Sequence, residues 1–235
     1  MTDYKASKRI VGTSAERATF IPSAPHWQEL GRTTLSSAGD NIDVSSLTNK
    51  PYLMFLTQVL DDGTDNPTLA LRLNADSGSN YSHRYSADGG TDSTSTSRTN
   101  IYGTDGIGAG SEAFMVGFIN NISDQEKLTT IHSVADRSGT GAGNAPNRWE
   151  VAGKWANTSN AVSAVNIINS NTGNFDTNSE CVVLGYDPDD TSGTSVWEEL
   201  ANVTATSGTT ISSGTFTSKK YLMFDLYFNA PGAGG

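Results

Sequence analysis

The sequence predicts an all-β chain: an antiparallel β-sandwich of jelly-roll type, followed by the start of a second similar domain. Three observations lead there. Apolar residues recur with period two in short runs, as in Leu69-Ala-Leu-Arg-Leu73 and Tyr81-Ser-His-Arg-Tyr85. Clusters of Gly, Ser, Thr, Asn and Asp separate about ten such runs, a spacing typical of sandwiches. Charged residues make up only 17% of the chain, too few for long helices or coiled coils.

Residues 1 to about 25 carry Lys5, Lys8, Arg9 and Arg17, with Ile10, Val11, Phe20 and Ile21 scattered among them. In an otherwise acidic chain this reads as an arm, and Pro22 and Pro25 favour an extended link between it and the first domain. That domain is expected over residues 26–188. Trp27 to Leu35 is strand-like, and Ile42 and Val44 alternate with polar neighbours. Tyr52 to Leu60 is almost continuously apolar and should lie centrally in a sheet. Leu69 to Tyr85, with turn formers at 76–80, reads as an antiparallel hairpin. Residues 86–100 read as an exposed loop, with Ile101-Tyr102 touching down briefly. Glu112 to Ile119, Lys127 to Val134 and Arg148 to Trp155 are further strands, the last placing Trp149, Val151, Gly153 and Trp155 on one face. Glycines and Pro146 make 138–147 a loop. Val162 to Ile168 and Cys181 to Tyr186 complete the set. The one helix-friendly stretch, Asp124 to Leu128, is too short to hold a helix.

A net charge of −10 repels a phosphate backbone, so nucleic acid is not an expected partner. The single cysteine, Cys181, permits no intrachain disulfide and sits in an apolar run as a small buried side chain. No stretch approaches the ~20 apolar residues that span a bilayer, and the N-terminus has no apolar signal core. Synthesis in a cytoplasm without a signal peptide, and no membrane insertion, are the expectations.

Two anchors recur about 170 residues apart. Trp27-Gln-Glu-Leu-Gly31 matches Trp197-Glu-Glu-Leu-Ala201, and Tyr52-Leu-Met-Phe55 matches Tyr221-Leu-Met-Phe224. A linker over 189–196 and the first strands of a second, incomplete repeat over 197–235 are therefore expected. Three strands cannot close a sandwich of this size. Either the natural chain continues, or another element completes the half-domain by strand donation. Tyr221, Leu222, Phe224 and Leu226 would form the assembly strand.

The run LRLNADSGSNYSHRYSADGG, then Asn147-Arg-Trp-Glu-Val151, Ser159-Asn-Ala-Val-Ser-Ala-Val-Asn-Ile-Ile168, Gly173-Asn-Phe-Asp176 and Val182-Val-Leu-Gly-Tyr186 resemble a repeated β domain of tailed-phage virion proteins, especially those of marine phages. Tyr4-Lys-Ala-Ser-Lys-Arg-Ile-Val-Gly12 resembles the start of such proteins. The likeness covers about residues 1–228, with Leu73 where the pattern has Phe. It implies a jelly-roll-like module in a capsid fibre, decoration protein or tail fibre, located in the virion. It carries no catalytic motif and no cofactor. It implies an arm that anchors to other virion proteins, and self-association, with a trimer the expected state.

Elsewhere the chemistry-bearing residues are sparse. His26, His83 and His132 show no metal-ligand spacing; His132 reads as a half-buried strand residue and His83 as packing beside Tyr81 and Tyr85. Asp187-Pro-Asp-Asp190 offers oxygen ligands without EF-hand spacing and reads as a solvated linker. Gly106-Ile-Gly-Ala-Gly110 lacks the lysine and helix of a phosphate loop. Trp149 and Trp155, with Tyr81 and Tyr85, could stack on the apolar face of a host surface glycan, although alternation equally places such tryptophans in a core. A non-enzymatic virion protein is thus the leading expectation and a carbohydrate-binding receptor module the alternative. A depolymerase would need two carboxylates roughly 5–9.5 Å apart across a cleft, which sequence does not place.

Overall fold

The computed structural model describes residues 26–63, 65–137, 139, 141–190, 200, 201, 203 and 210–224. The chain divides into two units, 1–196 and 197–235. In the first, the strands are β1 Gln28–Thr34, β2 Asn41–Val44, β3 Tyr52–Leu60, β4 Leu69–Leu73, β5 Tyr81–Ala87, β6 Ser93–Arg98, β7 Ile101–Tyr102, β8 Glu112–Asn120, β9 Lys127–Ala135, β10 Asn147–Trp155, β11 Val165–Asn169 and β12 Glu180–Tyr186. Among the described residues there is no helix. Every strand pairing is antiparallel.

One sheet runs β1-β12-β3-β8-β9-β10-β5-β6 and the other β2-β11-β4-β7. Setting aside β5, β6, β9 and β10 leaves an eight-strand frame. In the frame's own order, one sheet holds its first, eighth, third and sixth strands and the other its second, seventh, fourth and fifth. That interleaving is the jelly roll. The remaining strands are two insertions: β5 and β6 between β4 and β7, and β9 and β10 between β8 and β11. Both widen the larger sheet along its β8 side.

The core follows from period two. On β3, Leu53, Phe55 and Val59 face inward; on β8, Ala113, Met115 and Ile119; on β12, Cys181 and Val183. They meet Ile42, Val44, Leu69, Leu71, Leu73, Val165 and Ile167 from the smaller sheet. As expected, Tyr52 to Leu60 is central, between β12 and β8. Gly117 and Gly153 interrupt their inward rows because rings and branches fill their places. A Cβ on Gly117 would lie 2.2 Å from Phe55 Cζ, and one on Gly153 2.8 Å from Ile101 Cγ2.

Four expectations need correction. Residues 69–85 do not form a hairpin: β4 pairs with β11 and β7, whereas β5 pairs with β10 and β6 in the other sheet. Alternation reports a strand with one buried face but not its partner. The link at 74–80 is an arch that crosses the sandwich. Residues 86–100 are not all loop, since Ser93–Arg98 forms β6. Its residues are polar on both faces and it lies at the sheet edge, so it shows no apolar period. The strand expected from Val162 starts at Val165, because backbone amides 162–164 bond to Asn121 and Asn74 side chains instead of a ladder. His132 is exposed on the outer side of β9, opposite Val116 and Glu150, rather than half-buried.

In the second unit, the described residues 200, 201, 203 and 210–224 form no strand. Tyr221, Leu222 and Phe224 do not lie in a strand, and Leu222 is 58% and Phe224 83% exposed; Leu226 lies outside the described residues. The Tyr52–Phe55 copy in the first unit is flanked by β12 and β8. The arm over 1–25 and most of the linker over 189–196 lie outside the described residues.

Filling the space that Phe55 takes above Gly117 should be costly: Gly117→Ala is expected to lower unfolding free energy by about 2–3 kcal/mol, read from urea denaturation. Burial pushes the Cys181 thiol up to about 12. Its reaction with a disulfide reagent in the native protein should be at least ~100-fold slower than after unfolding.

Candidate functional site

Part of the first run that carries the virion-protein resemblance, Asn74 to Asn80, forms the arch between β4 and β5, where it does structural work. Asn74 and Ala75 both adopt the left-handed region, at φ 54°, which turns the chain out of the smaller sheet. Asn74 Oδ1 accepts hydrogen bonds from the Ser163 and Ala164 amides at 2.8 and 3.0 Å, and its Nδ2 donates to Ala161 O. Asp76 then closes the turn. Its Oδ1 accepts from Gly78 N at 2.8 Å, and its Oδ2 accepts from Asn80 Nδ2 at 2.9 Å and Trp155 Nε1 at 2.6 Å. Burial pushes the Asp76 carboxyl up, but the hydrogen bonds from Trp155, Asn80 and Gly78 and the charge of Arg72 outweigh it and hold it below its ordinary value.

The four proposed glycan-stacking residues fall elsewhere than on a surface platform. Trp149, Trp155 and Tyr81 are buried in the core, so none offers an open face to a sugar; Tyr85 is half-buried. Trp155 stacks on Tyr81 with centroids 6.3 Å apart and planes 16° apart. The Tyr81 hydroxyl accepts from Leu73 N and reaches the Leu73 and Asp76 carbonyls, and burial pushes its pKa up to about 12. Tyr85 packs instead against Tyr102, 4.6 Å between centroids, beside the buried His83. Burial is the main cause that lowers the His83 pKa, the Arg98 charge adds to it, and a hydrogen bond to the Asn100 backbone opposes it.

The other sequence candidates are also absorbed by the fold. Asp190 is ion-paired to Lys50 and accepts from Gln28 Nε2, so this end of the 187–190 turn is tied to the domain. The amides of Gly108 and Gly110 donate to Asn66 Oδ1 and Asp61 Oδ2, which leaves them turned to the protein's own oxygens rather than to a phosphate. Among the described residues no three His, Cys, Asp or Glu side chains converge as a metal site.

Sequence reading missed a groove on the outer side of the larger sheet, about 460 Å³ in volume. Its walls are Trp27, Tyr52, Phe118, Leu128, Thr130 and Tyr186, contributed by β3, β8, β9, β12 and the residue before β1. Trp27 lies 5.5 Å from Tyr186 and edge-on to Phe118 at 6.4 Å; Tyr52 lies 6.3 Å from Tyr186. Tyr52, Phe118 and Leu128 are 44%, 45% and 53% exposed. The apolar row continues under Phe118 through its ladder neighbour Met54 to Leu184. The signal was present as Phe114, Val116 and Phe118, apolar residues on the strand face opposite Met115 and Ile119. A run apolar on both faces reads as doubly buried, which concealed that no layer of the described residues covers one side.

Two outcomes are expected. Trp155→Phe keeps the ring in place but removes the donor to the Asp76 carboxylate, lowering stability by about 1.5–3 kcal/mol in urea melts. For His83, the folded pKa lies below the unfolded value near 6.5. Stability is therefore complete above about pH 6.5 and falls as acid protonates the unfolded chain first. Melting temperature should decline as the pH falls below about 6.5, and His83→Gln should flatten that decline. No protein-family model, curated protein or solved structure matches this chain.

Proposed function

We propose that this chain is a non-enzymatic structural protein of a tailed-phage virion, a capsid fibre, decoration protein or tail-fibre component. The observation that carries this reading is the use made of the signature residues. Asn74, Asp76, Gly78, Asn80 and Tyr81 are spent, together with Trp155, on one crossing of a jelly roll, which leaves none of these five for a reacting centre. The sequence likeness supplies the virion context. The basic arm over 1–25 anchors the protein to other virion proteins, and the domain associates with copies of itself, as a trimer. The protein is made in the host cytoplasm and carried on the particle. Deleting residues 1–25 is expected to abolish attachment to particles, scored by co-sedimentation, while the β circular dichroism stays intact. Retained attachment would refute the anchor.

A second reading, a carbohydrate-binding receptor module, draws on the groove. Exposed Tyr52 and Phe118 beside Trp27 supply aromatic faces of the kind that stack on pyranose rings. On that reading, binding to host surface polysaccharide is lost on Tyr52→Ala with the fold retained. Under the structural reading there is no such binding to lose.

A further inference from the structure

We propose that the groove on the outer sheet face is a docking site for this chain's own Phe20-Ile21 segment, which lies outside the described residues. The inference goes beyond the virion reading and does not depend on it. The groove is apolar and partly open, so an apolar occupant gains from covering it. The chain arrives in the groove itself, because Trp27, only one residue in from the first described position, forms its wall against Phe118 and Tyr186.

Reach and composition then select the occupant. Residues 22–26 connect Ile21 to Trp27 and span at most about 18 Å when extended. Pro22 and Pro25 favour such an extended path. Phe20-Ile21 is the nearest large apolar pair upstream, whereas Pro22-Ser-Ala-Pro-His26 offers none. A tethered segment acts at an effective concentration on the order of millimolar, above that of a second copy at micromolar protein. Docking would hold the apolar end of the arm on the domain and leave Lys5, Lys8, Arg9 and Arg17 further out along the chain.

The test uses the full chain with a cysteine beside each end of the contact, Thr19→Cys with Thr130→Cys, which leaves Phe20, Ile21 and the apolar wall of the groove in place. The native Cys181 is fully buried and does not compete for a short bis-maleimide reagent. The expected result is an intrachain crosslink whose yield is the same over a hundredfold dilution. In parallel, Phe20→Asp with Ile21→Asp should raise the fluorescence of an added apolar dye several-fold while circular dichroism is unchanged. Crosslinks only between chains, falling with dilution, would overturn the proposal in favour of a second copy in the groove. Absence of any crosslink together with unchanged dye binding would overturn it in favour of a groove open to a glycan or another protein.

Discussion

The Asp76 carboxylate is the point on which the sandwich turns. A jelly roll must carry its chain from one sheet to the other, and each crossing exposes backbone amides that no ladder satisfies. At the crossing from β4 to β5, one carboxylate accepts from the Gly78 amide, from the Asn80 side chain and from the indole of Trp155. It thus ties a loop of the smaller sheet to β10 of the larger. The Tyr81 hydroxyl bonds the Leu73 backbone on the far side of the same loop. The hydrogen bonds are charge-assisted and the rings are buried, so the crossing is held by polar and apolar contacts together.

The same device recurs where the chain leaves a sheet elsewhere. Asn121 Oδ1 accepts from Val162 N and its Nδ2 donates to Lys50 O, joining three segments distant in sequence. Asn166 links the Ala75 amide to Asp43, and Asn169 holds the Thr68 amide and Gly173 O. Asparagine suits this role because one amide group supplies both donors and an acceptor. Part of the richness in Asn, which at first suggests only loops, is the material of these internal staples.

The existence of the strands was legible in the sequence because burial of one face imposes period two on residues such as Trp149, Val151 and Trp155. Pairing was less legible. Leu69–Leu73 and Tyr81–Tyr85 alternate as hairpin strands would, yet the left-handed Asn74 and Ala75 send them to different sheets. β6 was invisible, since an edge strand of Ser and Thr buries nothing. The aromatic candidates were identified by type but not by side: Trp149 and Trp155 turned inward, while Phe118 and Tyr52, which had looked like ordinary core, turned outward. Residue type and spacing do not distinguish the two faces of a strand that is apolar on both.

The nested order of the frame also bears on how the protein is made. Among the described residues, β1 pairs only with β12, and β2 only with β11. Neither early strand can find its place until the polypeptide has been synthesised almost to Tyr186. The β8–β9–β10 meander is local and can form as it leaves the ribosome. The N-terminal strands must wait, exposed, for the last ones to appear. Completion of this domain is therefore a late event in translation, paced by loop closure across some 150 residues.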